Sequence, residues 1–419
     1  FGSSHLRNTF TSIYTHPVVN QTIQMQLLPF ALLLPFVAGL IVHPVESDYT
    51  HLFDVFVSKY RRSYVKGSTE YQKRMDIFSE RLKKAELLNS QPGRAWTAGT
   101  SPFADYTEEE LKSLKGWKGM ASPNAKKNLR RSKVSLLQTE LPEDFSRWKD
   151  LQSVKAIANQ GACGSCWAVT SATVLNSHRE IHQNATERLS PQELVDCVPN
   201  PKHCGGGGGC SGATVELAMA YTMQFGLASD KSHPYQGYDE ECSRKDVKGS
   251  KSLLEFGDSD DLSISGVRKA SNHDRGFHSL KMHGWEKLPE NRYHPLMEAL
   301  VTKGPVAVSV GAEGWEMYLN GIYGDCAKDV VIDHAVTLIA YGKDKELKQK
   351  YWTIMNSWGE NFGEKGTMRL LRQDSEEEHC GTDHQPQVGT GCDGGPASVQ
   401  VCGMCGILYD NVYPIFSPF

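Results

Sequence analysis

Two cysteines three residues apart, Cys163 and Cys166, stand in the stretch NQGACGSCWAVTSAT that runs from Asn159 to Thr173. Three chemistries use that spacing: a redox dithiol, half of a metal site, or a structural sulfur beside a reactive one. A helical run opens at Cys166, with Trp167, Val174, His178 and Ile181 on a common side. A sulfur at a helix N-terminus faces unpaired N–H groups and the positive end of the helix dipole, and both favour thiolate. A thiolate that attacks a carbonyl carbon needs a group to hold and return a proton, a group to orient that base, and donors for the developing oxyanion. Candidates for the three tasks are His334 in VIDHAVTLIAYG, Asn356 in YWTIMNSWG, and Gln160, six residues before Cys166 and followed by Gly161. Taken singly, such a His is more often a satisfied core residue, and Asn or Gln near turns more often caps backbone.

The chain that must position these groups has 419 residues, more than one ordinary domain needs, and a formal net charge of −4. That balance gives no reason to expect a nucleic-acid partner. Eleven cysteines, all from Cys163 onward, point to a disulfide-rich body in an oxidising compartment, and the odd number leaves one thiol over. The apolar run MQLLPFALLLPFVAGLIV, residues 25–42, fits a secretory signal, with residues 1–24 as an upstream, non-native segment. Residues 49–92 have helical periodicity, with Leu52, Phe53, Phe56 and Tyr60 sharing a face. AGTSPFADYTEEEL then links into a further short helix, and the basic residues 119–135 read as a linker open to cutting. Past Leu141, helical patterns give way to β-branched alternation in GPVAVSVGA, HAVTLIAYG and YWTIMNSWG, which predicts an α+β fold with one helical and one β-rich lobe. Residues 243–292 and 373–401 read as long polar loops. The glycine-rich HCGGGGGCSGA lacks a following GK[ST] and a βαβ frame, so no nucleotide cofactor is expected.

QGACGSCW, DHAV and NSWG, in this order, resemble the papain-type cysteine proteases, the group of papain, cathepsin L and cathepsin B. The resemblance implies Cys166 as nucleophile, His334 as its imidazolium partner, and Asn356 as the acceptor that fixes the histidine tautomer. Trp358 would shield that bond and line the cleft, and Gln160 with the Cys166 N–H would form the oxyanion hole. It implies a two-lobe fold with an antiparallel, barrel-like β lobe. Glu70, Arg74, Phe78 and Asn89, then Gly99, Phe103 and Asp105, match the family's inhibitory prosegment, with Arg81, Ala85 and Ser101 as departures. The expected organisation is therefore signal, prosegment at 48–118, linker at 119–139 and peptidase at 140–419. Acidic groups titrating at low pH would loosen the prosegment.

The same resemblance implies the disulfides Cys163–Cys210, Cys197–Cys242 and Cys326–Cys405, leaving Cys204, Cys380, Cys392 and Cys402 with three possible pairings. A zinc site on Cys380, Cys392, Cys402 and Cys405, near His379 and His384, takes Cys405 from its bridge and has knuckle spacing in only one half; no metal is expected. It also implies a substrate cleft along Gly212 and Ala213, and a pocket for the second side chain before the scissile bond. Val215 and Ala335 would wall that pocket, with Asp410 at its floor as an acid able to receive Arg. Ala213 stands where the family often has glycine and requires a negative φ, while Phe362 stands where a second Trp is common. No loop with paired histidines precedes the glycine-rich segment, which favours endopeptidase action, although 243–292 could cap one end of the cleft. Asn184 begins a glycosylation sequon. The implied partners are peptide substrates, the chain's own prosegment and cystatin-like inhibitors. A monomer is expected, in the secretory pathway with a lysosomal, vacuolar or extracellular destination. The competing readings are a catalytically impaired, peptide- or inhibitor-binding homologue, and a thiol–disulfide oxidoreductase. Against the latter, Trp167 follows the second cysteine and no thioredoxin-like βαβ unit surrounds it.

Overall fold

A computed structural model of the chain describes residues 49–116, 141–244, 266–269 and 279–416. The expected signal and upstream segments, the linker and most of 243–292 lie outside these residues. Among the described residues no helix is long and apolar enough to cross a membrane.

The N-terminal part contains α1 (Tyr49–Lys59), α2 (Thr69–Asn89), β1 (Trp96–Ala98) and α3 (Glu108–Leu114). Ser68 caps α2 through the Tyr71 N–H, and Thr107 with Glu110 forms a reciprocal capping box on α3. Phe53, Phe56, Tyr71 and Phe78 form a small aromatic core between α1 and α2. Leu52, expected on that face, is 45% exposed, because the α1 stripe is centred on Phe53 and Phe56. Arg74 is 9% exposed and ties the part together, donating to Glu70, to Glu110 and to the Asp105 carbonyl. Of the departures, Arg81 donates to the Phe103 carbonyl at 2.8 Å, Ala85 is buried, and the Ser101 hydroxyl accepts from the Phe103 N–H at 3.1 Å.

The body opens with the short helix α4 (Gln152–Lys155) and the helices α5 (Cys166–Gln183), α6 (Pro191–Cys197) and α7 (Val215–Phe225). One apolar core joins α5, α6 and α7 around Trp167, Leu175, Leu194 and Tyr221, while Val154 of α4 packs on Ile339 and Met355. Asn184 closes α5 in a left-handed conformation, φ 49°, and is exposed. The second core fills a sheet built from β2 (Gly266–Lys269), β3 (Met282–Lys287), β4 (Val306–Val310), β5 (Tyr318–Tyr323), β6 (His334–Lys343), β7 (Lys350–Met355), β8 (Thr367–Leu371) and β11 (Asn411–Phe416). With β1, the order is β1-β5-β8-β7-β6-β4-β11-β3-β2. Its pairings are antiparallel except β5 with β8, a departure from the uniformly antiparallel lobe that was expected. The two cores form the helical and β lobes of an α+β fold.

Both stretches read as polar loops carry strands. MHGWEK is β3, with Trp285 1% exposed on its inward face. Within 373–401, β9 (Cys380–Asp383) and β10 (Val399–Cys402) pair as a hairpin. Five disulfides are formed. Three are the expected ones, and the four remaining cysteines pair as Cys204–Cys392 and Cys380–Cys402. Cys405, Cys380, Cys392 and Cys402 are thus all oxidised, which leaves no thiolate for zinc.

Candidate active site

Cys166 is the one free cysteine and begins α5. Close backbone approaches set its position. Gly164 donates its N–H to the Cys210 carbonyl at 3.1 Å, beside the Cys163–Cys210 bridge, and a Cβ there would stand 2.7 Å from the same oxygen. Tyr235 touches the Ser165 hydroxyl and donates to the Gln160 carbonyl at 2.8 Å, clamping both ends of the loop. One turn into α5, Thr170 donates to the Ala335 carbonyl at 3.0 Å. That bond ties the cysteine helix to the strand that starts at His334.

The antiparallel register of β6 and β7 pairs Thr337 with Met355, which brings His334 and Asn356 to diagonal positions on neighbouring strands. His334 Nε2 lies 2.8 Å from Asn356 Oδ1, which also accepts from the Ser357 N–H at 2.8 Å. Trp358 covers the imidazole with ring centroids 5.0 Å apart, and Phe362 packs edge-on against Trp358 at 5.1 Å. The phenylalanine therefore keeps the aromatic wall. Gln160 is brought in by backbone pairing with the segment after Asn356: its N–H donates to the Ser357 carbonyl, and Gly359 donates to Ala158. The Ser357 hydroxyl donates to Gln160 Oε1 and so fixes which way the amide points.

The N-terminal part closes this site. The Gln160 amide donates to the Leu114 carbonyl at 2.7 Å as well as to Cys163 at 2.9 Å. Gly116 crosses the cleft against Gly212, where an added Cβ would stand 2.1 Å from the Gly116 carbonyl. Lys115 reaches Asp333, the neighbour of His334, at 3.4 Å. Asp333 also accepts from the Ala312 N–H at 2.9 Å. Sequence reasoning missed Lys115, Asp333 and Ser357; the DH of DHAV was the only available signal for Asp333.

Closure sets the electrostatics. Burial pushes the Cys166 thiol up to about 11, against the Ala335 and Trp167 N–H groups that pull it down. Burial drops His334 to about 4, and the Lys115 cation acts in the same direction while the Asn356 bond opposes. The thiolate expected from the helix terminus is therefore overridden in this closed form, because burial outweighs the N–H groups. Burial raises Asp333 too, with Lys115 opposing.

Gly212, Ala213, Val215, Ser309, Ala335, Cys166 and His334 line one pocket. Ala213 does not have the positive φ that would exclude its methyl. Asp410 lies behind Ser309, whose hydroxyl donates to it at 2.7 Å. Asp410, expected as an acid able to receive Arg, already has a cationic partner in the chain. Lys287 Nζ, 4% exposed at the end of β3, lies 2.7 Å from Asp410 and 2.9 Å from Glu216. The missed strand β3 supplies this counter-ion. Burial and the Asp410 charge push Glu216 up to about 7, with Lys287 opposing, whereas at Asp410 burial is outweighed by Lys287 and Ser309, and its carboxyl stays below the usual range.

Residues 141–390 match the papain family cysteine proteases, and residues 53–111 match the cathepsin propeptide inhibitor domain. Cysteine proteinase 15A of Pisum sativum is 31% identical over 338 residues, 77% of this chain and 82% of that protein. A cathepsin L-like proteinase of Phaedon cochleariae is 29% identical over 346 residues, 81% and 94% of the two chains. The structure of digestive procathepsin L2 from Tenebrio molitor larval midgut superposes with a TM-score of 0.63 at 25% identity, over 88% of this chain and all of that one. The two family matches fall on the N-terminal part and on the body, and the chain belongs to the papain family of cysteine proteases as an autoinhibited, zymogen-type endopeptidase.

Proposed function

We propose that Cys166 is the nucleophile of this endopeptidase and His334 its proton partner, oriented by Asn356 and screened by Trp358. Gln160 donates to the oxyanion of the tetrahedral intermediate, together with the Cys166 N–H. The observation that carries the reading is the Gln160 amide bonded to the Leu114 carbonyl. A prosegment carbonyl occupies the donor that a substrate carbonyl needs. Once the prosegment leaves, burial no longer holds the pair neutral. The thiolate attacks the scissile carbonyl, His334 protonates the leaving amine, and water then hydrolyses the acyl-enzyme.

Gly212 and Ala213 hold the substrate backbone, and Val215 and Ala335 wall the pocket for the second side chain before the cut. Asp410, paired with Lys287 behind Ser309, leaves a pocket that favours apolar side chains. The prosegment spans residues 48–118, the linker 119–139 and the mature enzyme 140–419, preceded by a signal at 25–42. Five disulfides and an exposed Asn184 sequon support a secretory route to a lysosome, vacuole or the extracellular space, with Asn184 glycosylated. The mature enzyme is a monomer open to cystatin-like inhibitors.

The test is acid activation of the purified chain, followed by E-64 labelling and peptide mapping. One adduct at Cys166, with N-terminal sequencing placing the new terminus in 119–139, is the expected result. Labelling elsewhere, or peptidase activity in a Cys166→Ser chain, overturns it.

A further inference from the structure

The β9–β10 hairpin belongs to the β lobe. Cys380–Cys402 joins its strands, the Ile332 N–H donates to Asp383 at 3.0 Å, and the Thr382 N–H donates to Asp329 at 2.8 Å. Its tip leaves that lobe and reaches the glycine-rich loop of the helical lobe. There Cys392 is bonded to Cys204, the Gly205 N–H donates to the Gly391 carbonyl at 2.9 Å, and the Asp393 N–H donates to the Lys202 carbonyl at 2.8 Å. The Asp393 carboxylate adds a 2.7 Å contact to His203. One covalent strap therefore joins the two walls of the cleft.

The strap crosses at a defined place. A Cβ on Gly389 would stand 2.1 Å from the Ile332 carbonyl and 3.1 Å from the Asp333 α-carbon. On the opposite wall, a Cβ on Gly205 would stand 2.7 Å from the Gly389 carbonyl and 3.0 Å from the Ala213 carbonyl. Gly205 and Gly389 thus lie backbone against backbone between Ala213 on one wall and Ile332–Asp333 on the other, and both line the pocket that holds Cys166 and His334. Neither glycine has room for a side chain. The strap comes from 373–401, the stretch that the sequence offered only as a long polar loop.

We infer that the Gly389–Cys392 strap ends the non-primed side of the cleft at the pocket for the second residue before the scissile bond, and so sets substrate specificity. The inference rests on the placement of the reacting centre at Cys166 and His334. A polypeptide substrate is gripped by two residues on that side, and the chain N-terminal to them turns out of the cleft. The primed side carries the remaining contacts. Substrates in which a tight turn precedes these two residues, or whose free end begins with them, fit this geometry better than long extended segments.

The test compares fluorogenic amides on the acid-activated chain: an acetylated Phe-Arg reporter against the same reporter extended by two alanines at its N-terminal side. In the native enzyme the extension changes kcat/KM by less than about twofold, whereas in Cys204→Ser/Cys392→Ser it raises kcat/KM about tenfold, the equivalent of one good added subsite. Titration with E-64 normalises for folded enzyme. A tenfold gain already present in the native enzyme, or identical length profiles in the two, overturns the strap. If the double variant does not fold, the native profile decides alone, and Asp393→Ala, which loosens the strap without touching a disulfide, is expected to give an intermediate gain. Failure of the underlying site is distinguishable: neither reporter is cleaved, and no thiol at Cys166 is labelled.

Discussion

Lys115 ends 3.4 Å from Asp333, the residue immediately before His334. The prosegment thus places a cation beside the imidazole that the proposed mechanism makes cationic. Burial lowers the Lys115 pKa, yet Asp333 and Glu316 outweigh it and hold the ammonium charged. Inhibition is therefore electrostatic as well as steric. Lys115→Met is expected to raise the pH midpoint of self-processing by about one unit, equivalent to about 1.4 kcal/mol of lost closure. Processing against pH, followed on gels, checks this. An unchanged midpoint removes Lys115 from the mechanism.

His334 makes closure pH-dependent with a definite sign. Exposed, it titrates near its ordinary 6.5; shut in, near 4. The open form binds the proton more readily. Closure is fully present above about pH 6.5 and is lost as pH falls from there to about 4, by about 3 kcal/mol in total. Hydrogen exchange in a Cys166→Ser chain reads this at the Gly99 and Ile322 N–H groups, which bond to Met317 and Ala95 across the prosegment boundary. Protection, corrected for intrinsic rates, is expected to fall through that window, and His334→Gln is expected to flatten it. The same slope in both chains assigns the effect elsewhere.

Arg74 governs a lower window. Its guanidinium holds the Glu110 carboxyl below the usual range, against burial. A carboxylate lowered in this way stabilises above its ordinary 4.5, and its contribution disappears as pH falls through the depressed value. Arg74→Ala is expected to weaken the prosegment by about 2 kcal/mol, reduced from the fully buried case because Glu70 and Glu110 are 49% and 40% exposed. Leaked activity at neutral pH, before any acid step, is the readout. A tight zymogen with the substitution in place contradicts the prediction.

The buried cluster behind Ser309 has its own pH response. With Glu216 at about 7, the Glu216–Lys287–Asp410 cluster is neutral in acid and carries one net negative charge above that value. The ratio of Arg-Arg to Phe-Arg cleavage is expected to rise severalfold between pH 5.5 and pH 7.5. In Glu216→Gln the ratio is expected to stay flat. A flat ratio in the native enzyme removes the cluster from substrate choice.

The site was legible where a short motif carries its own context. QGACGSCW, DHAV and NSWG each sit at an element boundary, and β6–β7 register or the 158–160 with 357–359 pairing then brings them together without further information from sequence. The helical prosegment was legible for the same local reason, through the spacing of Phe53, Phe56, Phe78 and Arg74. What escaped depends on distant chain. Lys287 lies in a strand whose alternation, MHGWEK, is interrupted by a glycine and two charges, so nothing local marked it as the partner of Asp410. Cys204 and Cys392 are 188 residues apart, and only the folded chain decides among the three pairings. Protonation state was hidden as well: a helix terminus argues for thiolate, but burial of the sulfur outweighs the N–H groups.

Removal of the prosegment has a further consequence at β1. That strand pairs Trp96 with Gly321 and Thr97 with Asn320, so in the zymogen β5 is an interior strand. Once β1 departs, β5 becomes the margin of the sheet, with a row of N–H and C=O groups facing water and free to recruit another chain. Only six residues long and bent at Gly321, φ +97°, it is a poor template for such pairing. The zymogen therefore folds with a guarded margin, and once β1 has gone the shortness of β5 limits what can pair there.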